Sequence, residues 1–266
     1  MIVNDAYCYT GGKPFDAARP TAFFIHGAQN DHSVFGLQTR YFAHHGFNVL
    51  AVDLPGHGRS KGEALASVEA MADWIISLMD AIGIDKALLF GHSMGSLIAL
   101  ETSFRAPGRV SHLGMLGTTY PMKVADALLE SAKHTEPAAI DMVNIFSHSS
   151  IAQKPSSPGP GFYVPGVARR LMQRITQINP RQVFYTDFVA CNAYANGDAA
   201  AKAVRCPTLF IFGSKDMMTP VRSTKALTAA IPHGRVVQVD AGHSVMSEQP
   251  DAVLDALFDF ATRSAA

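Results

Sequence analysis

Six short apolar runs, each closed by Gly, Pro or a polar residue, limit what this 266-residue chain can fold into more than any other feature. They are "TAFFIHG" (21–27), "FNVLAVDLPG" (47–56), "KALLFGHS" (86–93), "VSHLGMLGT" (110–118), "TLFIFG" (208–213) and "RVVQVD" (235–240). Their Val, Ile, Leu and Phe fall on consecutive positions, so both faces of each run are apolar. Strands of that kind belong in a parallel sheet covered by helices on both sides. Segments with a helical period lie between the runs, at 34–45, 67–82, 222–230 and 251–262. In the second, Val68, Met71, Ile75, Leu78, Met79 and Ile82 share one face. Residues 2–10 read as an additional antiparallel hairpin at the N-terminus. The pattern predicts an α/β fold with a mostly parallel, twisted sheet and helices on both faces.

The interval 121–204 breaks this rhythm. It is mainly helical and too long for an ordinary loop, so it is read as an inserted helical cap. Residues 1–120 and 205–266 then form the core. Within the insertion, the Pro-rich "KPSSPGPGF" (154–162) is expected to be a flexible connection, and "GVARRLMQRITQI" a helix with Val167, Leu171, Ile175 and Ile178 packed along one face. Lys+Arg and Asp+Glu each number 22, for a formal net charge of zero, and no block of like charge is present. That argues against a nucleic-acid or membrane partner. Three widely spaced cysteines, Cys8, Cys191 and Cys206, suggest neither a disulfide framework nor a zinc site. The first residues lack the pattern of a secretory signal and no apolar run is long enough to span a bilayer, so the expected location is the cytoplasm.

Chemistry enters at Gly91-His92-Ser93-Met94-Gly95, where an apolar strand meets an apolar helix. This is a G-x-S-x-G turn in the context such a turn requires: the glycines leave room for close backbone passage, and the serine hydroxyl is presented at the carboxyl edge of the sheet. A serine hydroxyl is a poor nucleophile near neutral pH, so it needs a base, a carboxylate to orient that base and donors for an oxyanion. His243 follows the "VVQVD" strand in a Gly-containing loop and is the candidate base. His92 is nearer in sequence, but neighbours along a strand point to opposite sides, so it is read as a packing or hydrogen-bonding residue facing away from Ser93. Asp216 follows the "TLFIFG" strand and is the candidate orienting acid, which makes the chain order Ser93, Asp216, His243. The backbone N–H groups of Met94 and Ala28 are the candidate oxyanion donors, the second from the loop that begins His26-Gly27.

With these pieces in place the chain resembles the α/β-hydrolase superfamily of serine esterases and related enzymes over nearly its full length. The matching segments are "FFIHGAQNDHSVF", "VLAVDLPGHGRS", "LLFGHSMGSLIALE", "CPTLFIFGSKDMMTP" and "DAGHSVMSEQPDAVLDAL". The resemblance implies that Ser93 attacks a carbonyl, His243 moves the proton, Asp216 orients His243 and an acyl-enzyme forms. It implies no metal and no organic cofactor, and it leaves Asp53 and His57 in a turn without chemistry. The family's second location for the acid reads "GTTYPM" here and holds no carboxylate. Serine at position 93, where other branches carry aspartate, sets the chain apart from dehalogenases and epoxide hydrolases. Met122, Leu128, Leu129, Met142, Phe146, Phe162, Tyr163, Phe184, Tyr185 and Phe188 suggest an apolar chamber, and Arg169, Arg170 and Arg174 read as a solvated helix face. The function expected is hydrolysis of a small to medium apolar carboxylic ester, the partner being a small-molecule ester or related carbonyl compound. The alternatives are carbon-carbon bond hydrolysis, acyl transfer to another acceptor, or a non-catalytic binding protein on the same fold.

Overall fold

The computed structural model of the chain describes residues 1–150 and 163–263, so the Pro-rich stretch 154–162 and Phe162 lie outside the described residues. Eight strands among the described residues form one sheet: β1 (Ile2–Val3), β2 (Ala6–Tyr9), β3 (Thr21–Ile25), β4 (Asn48–Val52), β5 (Ala87–His92), β6 (Val110–Leu116), β7 (Thr208–Gly213) and β8 (Arg235–Val239). Their order across the sheet is β1-β2-β4-β3-β5-β6-β7-β8; β2 pairs antiparallel with both β1 and β4, and every other pair is parallel. All six apolar runs therefore become adjacent strands. Several end earlier than their sequences suggest, because residues 26–27, 53–56 and 117–118 turn out of the sheet at its carboxyl edge.

The helices are α1 (Gly36–His44), α2 (Val68–Ile82), α3 (Met94–Arg105), α4 (Asp126–His134), α5 (Glu136–Ser147), α6 (Val164–Ile178), α7 (Val183–Ala193), α8 (Gly197–Ala203), α9 (Lys225–Ala230), α10 (Val245–Glu248) and α11 (Pro250–Thr262). Local signals set the ends of α2: the Ser67 hydroxyl accepts the Ala70 N–H at 3.1 Å, and Gly83 leaves the helix in the left-handed region at φ 79°. Alternation along the strands builds two cores. Phe23, Ile25, Leu89, Phe210 and Phe212 pack with Met71 and Ile75 of α2 and Leu97 of α3, whereas Phe24, Leu88, Phe90, Leu209 and Ile211 pack with Phe42 of α1 and Phe260 of α11. Successive side chains of a strand face opposite sides, so continuous apolar runs supply both layers.

Among the described residues, five helices, α4 to α8, lie between β6 and β7. A third cluster, which includes Leu128, Ile140, Met172, Phe184 and Phe188, packs α4 to α7 together, while Ala200 and Ala201 of α8 join the core beside α3. Helix α6 buries only part of the face expected, Ile175 fully and Leu171 partly. Val164, Met172 and Ile175 are buried, but Val167 is 49% and Ile178 54% exposed. The apolar positions of α6 form a band wider than its contact surface, and the contact with α5 selects the part nearer Met172.

The chain lays β4 on one side of β3 and then crosses to place β5 on the other. Ligands of open α/β sheets bind at such a switch point, outside the carboxyl ends of the strands. The elbow after β5 tolerates no side chain on its flanks: a Cβ on Gly95 would stand 2.1 Å from Ile25 O, and one on Gly91 2.1 Å from Gly95 O. Gly95→Ala is therefore expected to destabilise the fold by about 1–3 kcal/mol. Gly108→Ala, whose added carbon meets nothing within 4 Å, should change stability by less than about 0.5 kcal/mol. Urea midpoints of both variants test this, and equal midpoints would contradict the close approach.

Candidate active site

Ser93 joins β5 to α3 with φ 53° and ψ −121°, a conformation that residues with side chains rarely adopt and that costs about 1–3 kcal/mol. Backbone bonds hold it: Ser93 N–H donates to Leu116 O at 2.9 Å, and Ser93 O accepts from Ser96 N–H at 2.8 Å and from the Ser96 hydroxyl at 2.5 Å. The Ser93 side chain caps no N–H of α3. Met94 is the first residue of the helix, so its N–H has no carbonyl within the helix to bond.

The loops after β7 and β8 bring Asp216 and His243 together. His243 Nδ1–H donates to Asp216 Oδ2 at 2.8 Å, which leaves Nε2 as the lone-pair nitrogen. Asp216 also accepts the N–H groups of Met218 and Thr219, each at 2.8 Å, and the Thr219 hydroxyl at 2.7 Å. Burial alone would raise its pKa, but His243 and these donors outweigh burial and hold the carboxyl well below the usual carboxylate range.

The His243 loop is fastened on three sides. His92 Nε2–H donates to His243 O at 2.9 Å, Gly242 N–H donates to Glu248 Oε1 at 2.8 Å, and Ser244 N–H donates to Ser147 O at the end of α5 at 2.9 Å. His92 is thus a hydrogen-bonding residue, packed against the His243 ring with centroids 4.8 Å apart. It also lines a small recess shared with Ser93. Burial, with His243 beside it, pushes the His92 imidazole down to about 3, so it is neutral near physiological pH. The role of Glu248 had no local signal in the sequence.

The Ala28 loop is held by the helices between β6 and β7. Gln29, fully buried with φ 55°, donates its side-chain N–H groups toward Glu136 Oε1 at 2.9 Å, Thr176 Oγ1 at 2.9 Å and Met172 O at 3.1 Å. Its backbone N–H donates to Asp187 Oδ2 of α7 at 2.8 Å. The same oxygen lies 2.9 Å from His57 Nε2. His57 is therefore more than a turn residue, because it carries a buried tie to α7. Burial would lower its pKa, but the Asp187 carboxylate and the bonds to Asp187 and Pro55 O outweigh burial and raise it. Asp53 accepts His32 N–H at 2.8 Å and Arg59 N–H at 2.8 Å, fixing its own turn. His26 donates Nδ1–H to Gly27 O at 2.8 Å and accepts Leu54 N–H on Nε2 at 3.1 Å. Burial, with His57 beside it, pushes the His26 imidazole down to about 4, consistent with a loop-shaping part.

Ala28, Ser93 and His243 line two cavities in common, one of about 370 Å³ and one of about 60 Å³. Of the apolar residues singled out in the sequence, Met122, Leu128, Met142, Phe146 and Phe188 line the larger. Leu129 and Tyr185 pack against the third cluster, Phe184 lines the smaller cavity, and Tyr163 is exposed. Cys191 also lines the larger cavity, but burial pushes its thiol pKa far up, so it stays protonated. Arg169 pairs with Asp141 at 2.5 Å and Arg174 pairs with Asp31. Asp31, His32 and Asp53 gather within 4.8 Å, yet Asp31 already serves Ser33 and Arg174 while Asp53 serves His32 and Arg59, so this donor set is already engaged with protein partners. No helix among the described residues is long and apolar enough to cross a membrane.

Residues 22–256 match the model of a family described as the alpha/beta hydrolase family. The chain is 26% identical over 245 residues to an (E)-2-((N-methylformamido)methylene)succinate hydrolase of Acinetobacter baylyi, covering 88% of this chain and 87% of that protein. Its fold is similar to that of an esterase from Exiguobacterium antarcticum (TM-score 0.81, 18% identity, 97% and 95% of the two chains). It is equally similar to that of an enol-lactonase from Burkholderia xenovorans (TM-score 0.82, 21% identity, 98% of each chain).

The raised pKa of His57 gives its pair with Asp187 a definite pH signature. A group whose pKa is higher folded than unfolded stabilises most below its unfolded value, here near 6.5, and that contribution is lost as pH rises through the folded value. The stability gap between wild type and His57→Gln should therefore be widest below about pH 6 and narrow as the solution becomes alkaline. Denaturation midpoints of both proteins at several pH values measure the gap, and a gap that widens with pH would contradict the pairing.

Proposed function

We propose that this chain, which belongs to the alpha/beta hydrolase family, is a serine hydrolase that cleaves a small to medium apolar carboxylic ester through an acyl-enzyme. The observation that carries this reading is the Asp216–His243 hydrogen bond of 2.8 Å beside the cavity that Ser93 also lines. With Nδ1–H committed to Asp216, His243 Nε2 takes the Ser93 hydroxyl proton as Oγ bonds to the ester carbonyl carbon. The carbonyl oxygen becomes an oxyanion, for which Met94 N–H and Ala28 N–H are the proposed donors; one such donor is worth about 3 kcal/mol in comparable sites. Collapse breaks the carbon–oxygen bond to the alcohol, which leaves with the proton from Nε2. Water then gives a proton to Nε2 as its oxygen attacks the acyl carbon, and that proton returns to Ser93 Oγ as the acid departs.

In this reading residues 121–204 act as a cap that encloses the apolar side of the site, as the Met122, Leu128 and Phe146 lining suggests. The depressed pKa of Asp216 supports its part, since a carboxylate ionised across the working range stabilises the imidazolium formed in each step. Ser93→Ala is expected to abolish labelling by a fluorophosphonate and to reduce ester turnover by up to ~10⁶. Asp216→Asn should lower kcat by roughly 10⁴ while the protein still folds. Turnover of 4-nitrophenyl butanoate that is unchanged in Ser93→Ala would remove Ser93 as the nucleophile.

A further inference from the structure

The two cavities that meet at Ser93 and His243 differ in size and in chemistry. The larger, about 370 Å³, is walled by Met122, Leu128, Met142, Phe146, Phe188 and Met218. Lys123 at its edge has its ammonium on Asn192 O at 2.9 Å, so that charge already has a protein partner. A chamber of this volume lies at the lower end of small-molecule sites and suits one medium alkyl chain or aryl group.

The smaller recess, about 60 Å³, is mixed in character: Asn30, Asn144, Ser147 and Ser244 share its wall with apolar residues that include Met172 and Phe184. It is much the smaller of the two spaces and suits a short substituent. Asn144 stands on α5 with its Oδ1 buried and without a hydrogen-bond partner among the described residues. A buried amide oxygen without a partner has lost its hydration for nothing, and the loss is recovered when a ligand supplies a donor. Asn144 lines the recess, and asparagine χ2 is a soft torsion, so its amide can adjust to a donor placed there. Ser147, 6% exposed, adds a hydroxyl that can donate or accept.

On the reading that Ser93 is the nucleophile, we propose that the substrate is an unsymmetrical ester, with a medium apolar substituent on one side of the ester group and a small hydroxyl-bearing substituent on the other. The apolar arm occupies the chamber between α4, α5 and α7. The short arm enters the recess, where its hydroxyl donates to Asn144 and exchanges a hydrogen bond with Ser147. A purely apolar short arm of the same size leaves Asn144 unpaired, and a long one does not fit.

The test compares kcat/KM by pH-stat titration for four esters. Two are isomers that place the hydroxyl on opposite sides, 2-hydroxyethyl octanoate and octyl glycolate; the others are propyl octanoate, in which a methyl replaces the hydroxyl, and octyl octanoate. At least one hydroxylated isomer should be cleaved ten-fold or more faster than propyl octanoate, because a site built to bond a hydroxyl rejects its apolar counterpart. Octyl octanoate should be the slowest. Asn144→Leu should bring the hydroxylated isomer and propyl octanoate to within about two-fold of each other. Ser93-dependent turnover that treats all four esters alike, or a preference that survives Asn144→Leu, overturns the unsymmetrical site alone. Turnover by Ser93→Ala equal to wild type overturns the nucleophile reading and this proposal together.

Discussion

The left-handed backbone at Ser93 is the constraint on which the rest of the site depends. A strand buried on both faces must pass directly into a helix without a loop, and the only route puts one residue at φ 53°. The strain is sustained because its surroundings over-determine it: Leu116 O holds the Ser93 N–H, Ser96 holds its carbonyl, and the flanking glycines let α3 sit against the end of β3. That contact places the Ala28 loop beside the serine at the point where strand order reverses. The loops that end β7 and β8 then bring Asp216 and His243 to the same edge.

The helices between β6 and β7 are tied to the core by polar bonds as well as by apolar packing. Gln29 is bonded from α5, α6 and α7, and the carboxylate of Asp187 is shared between the Gln29 N–H and His57. On the other side Ser147 O accepts Ser244 N–H, next to His243. These groups are buried, so each one left unpaired would cost about 1–3 kcal/mol. Displacing the helices between β6 and β7 would break several bonds at once, and the loops carrying Ala28 and His243 would lose part of their support. The same segment that gives the larger cavity its apolar wall therefore also helps to position the polar groups beside it.

Sequence-level signals located the parts of the molecule whose cause is local. The six apolar runs became strands, but β8 is an edge strand with Val236 51% exposed and lacks the two-sided burial its sequence predicts, while α2 began and ended at Ser67 and Gly83 for capping reasons. Ser93, Asp216 and His243 were visible because each follows a strand and so must lie at one edge of the sheet. The inward face of α6 was visible only in part. Its apolar band was broader than its contact, and only the neighbouring helix chose Met172 over Val167 and Ile178. His57 and Asp187 stand 130 positions apart, and nothing in either local stretch distinguishes a buried partner from a turn residue or a solvated carboxylate.

By itself, then, the sequence determined the layered α/β architecture, the strained turn and the order of three candidate residues, because periodicity, glycine placement and strand ends act over a few neighbouring positions. Tertiary structure alone decided which histidines are neutral and supporting, which carboxylates are shared, and how the space beside Ser93 divides into an apolar chamber and a smaller recess of mixed lining. Burial and hydrogen bonding across the fold set those properties. They arise from residues such as Asn144, Asp187 and Glu248, whose chemistry is ordinary until distant segments remove them from water.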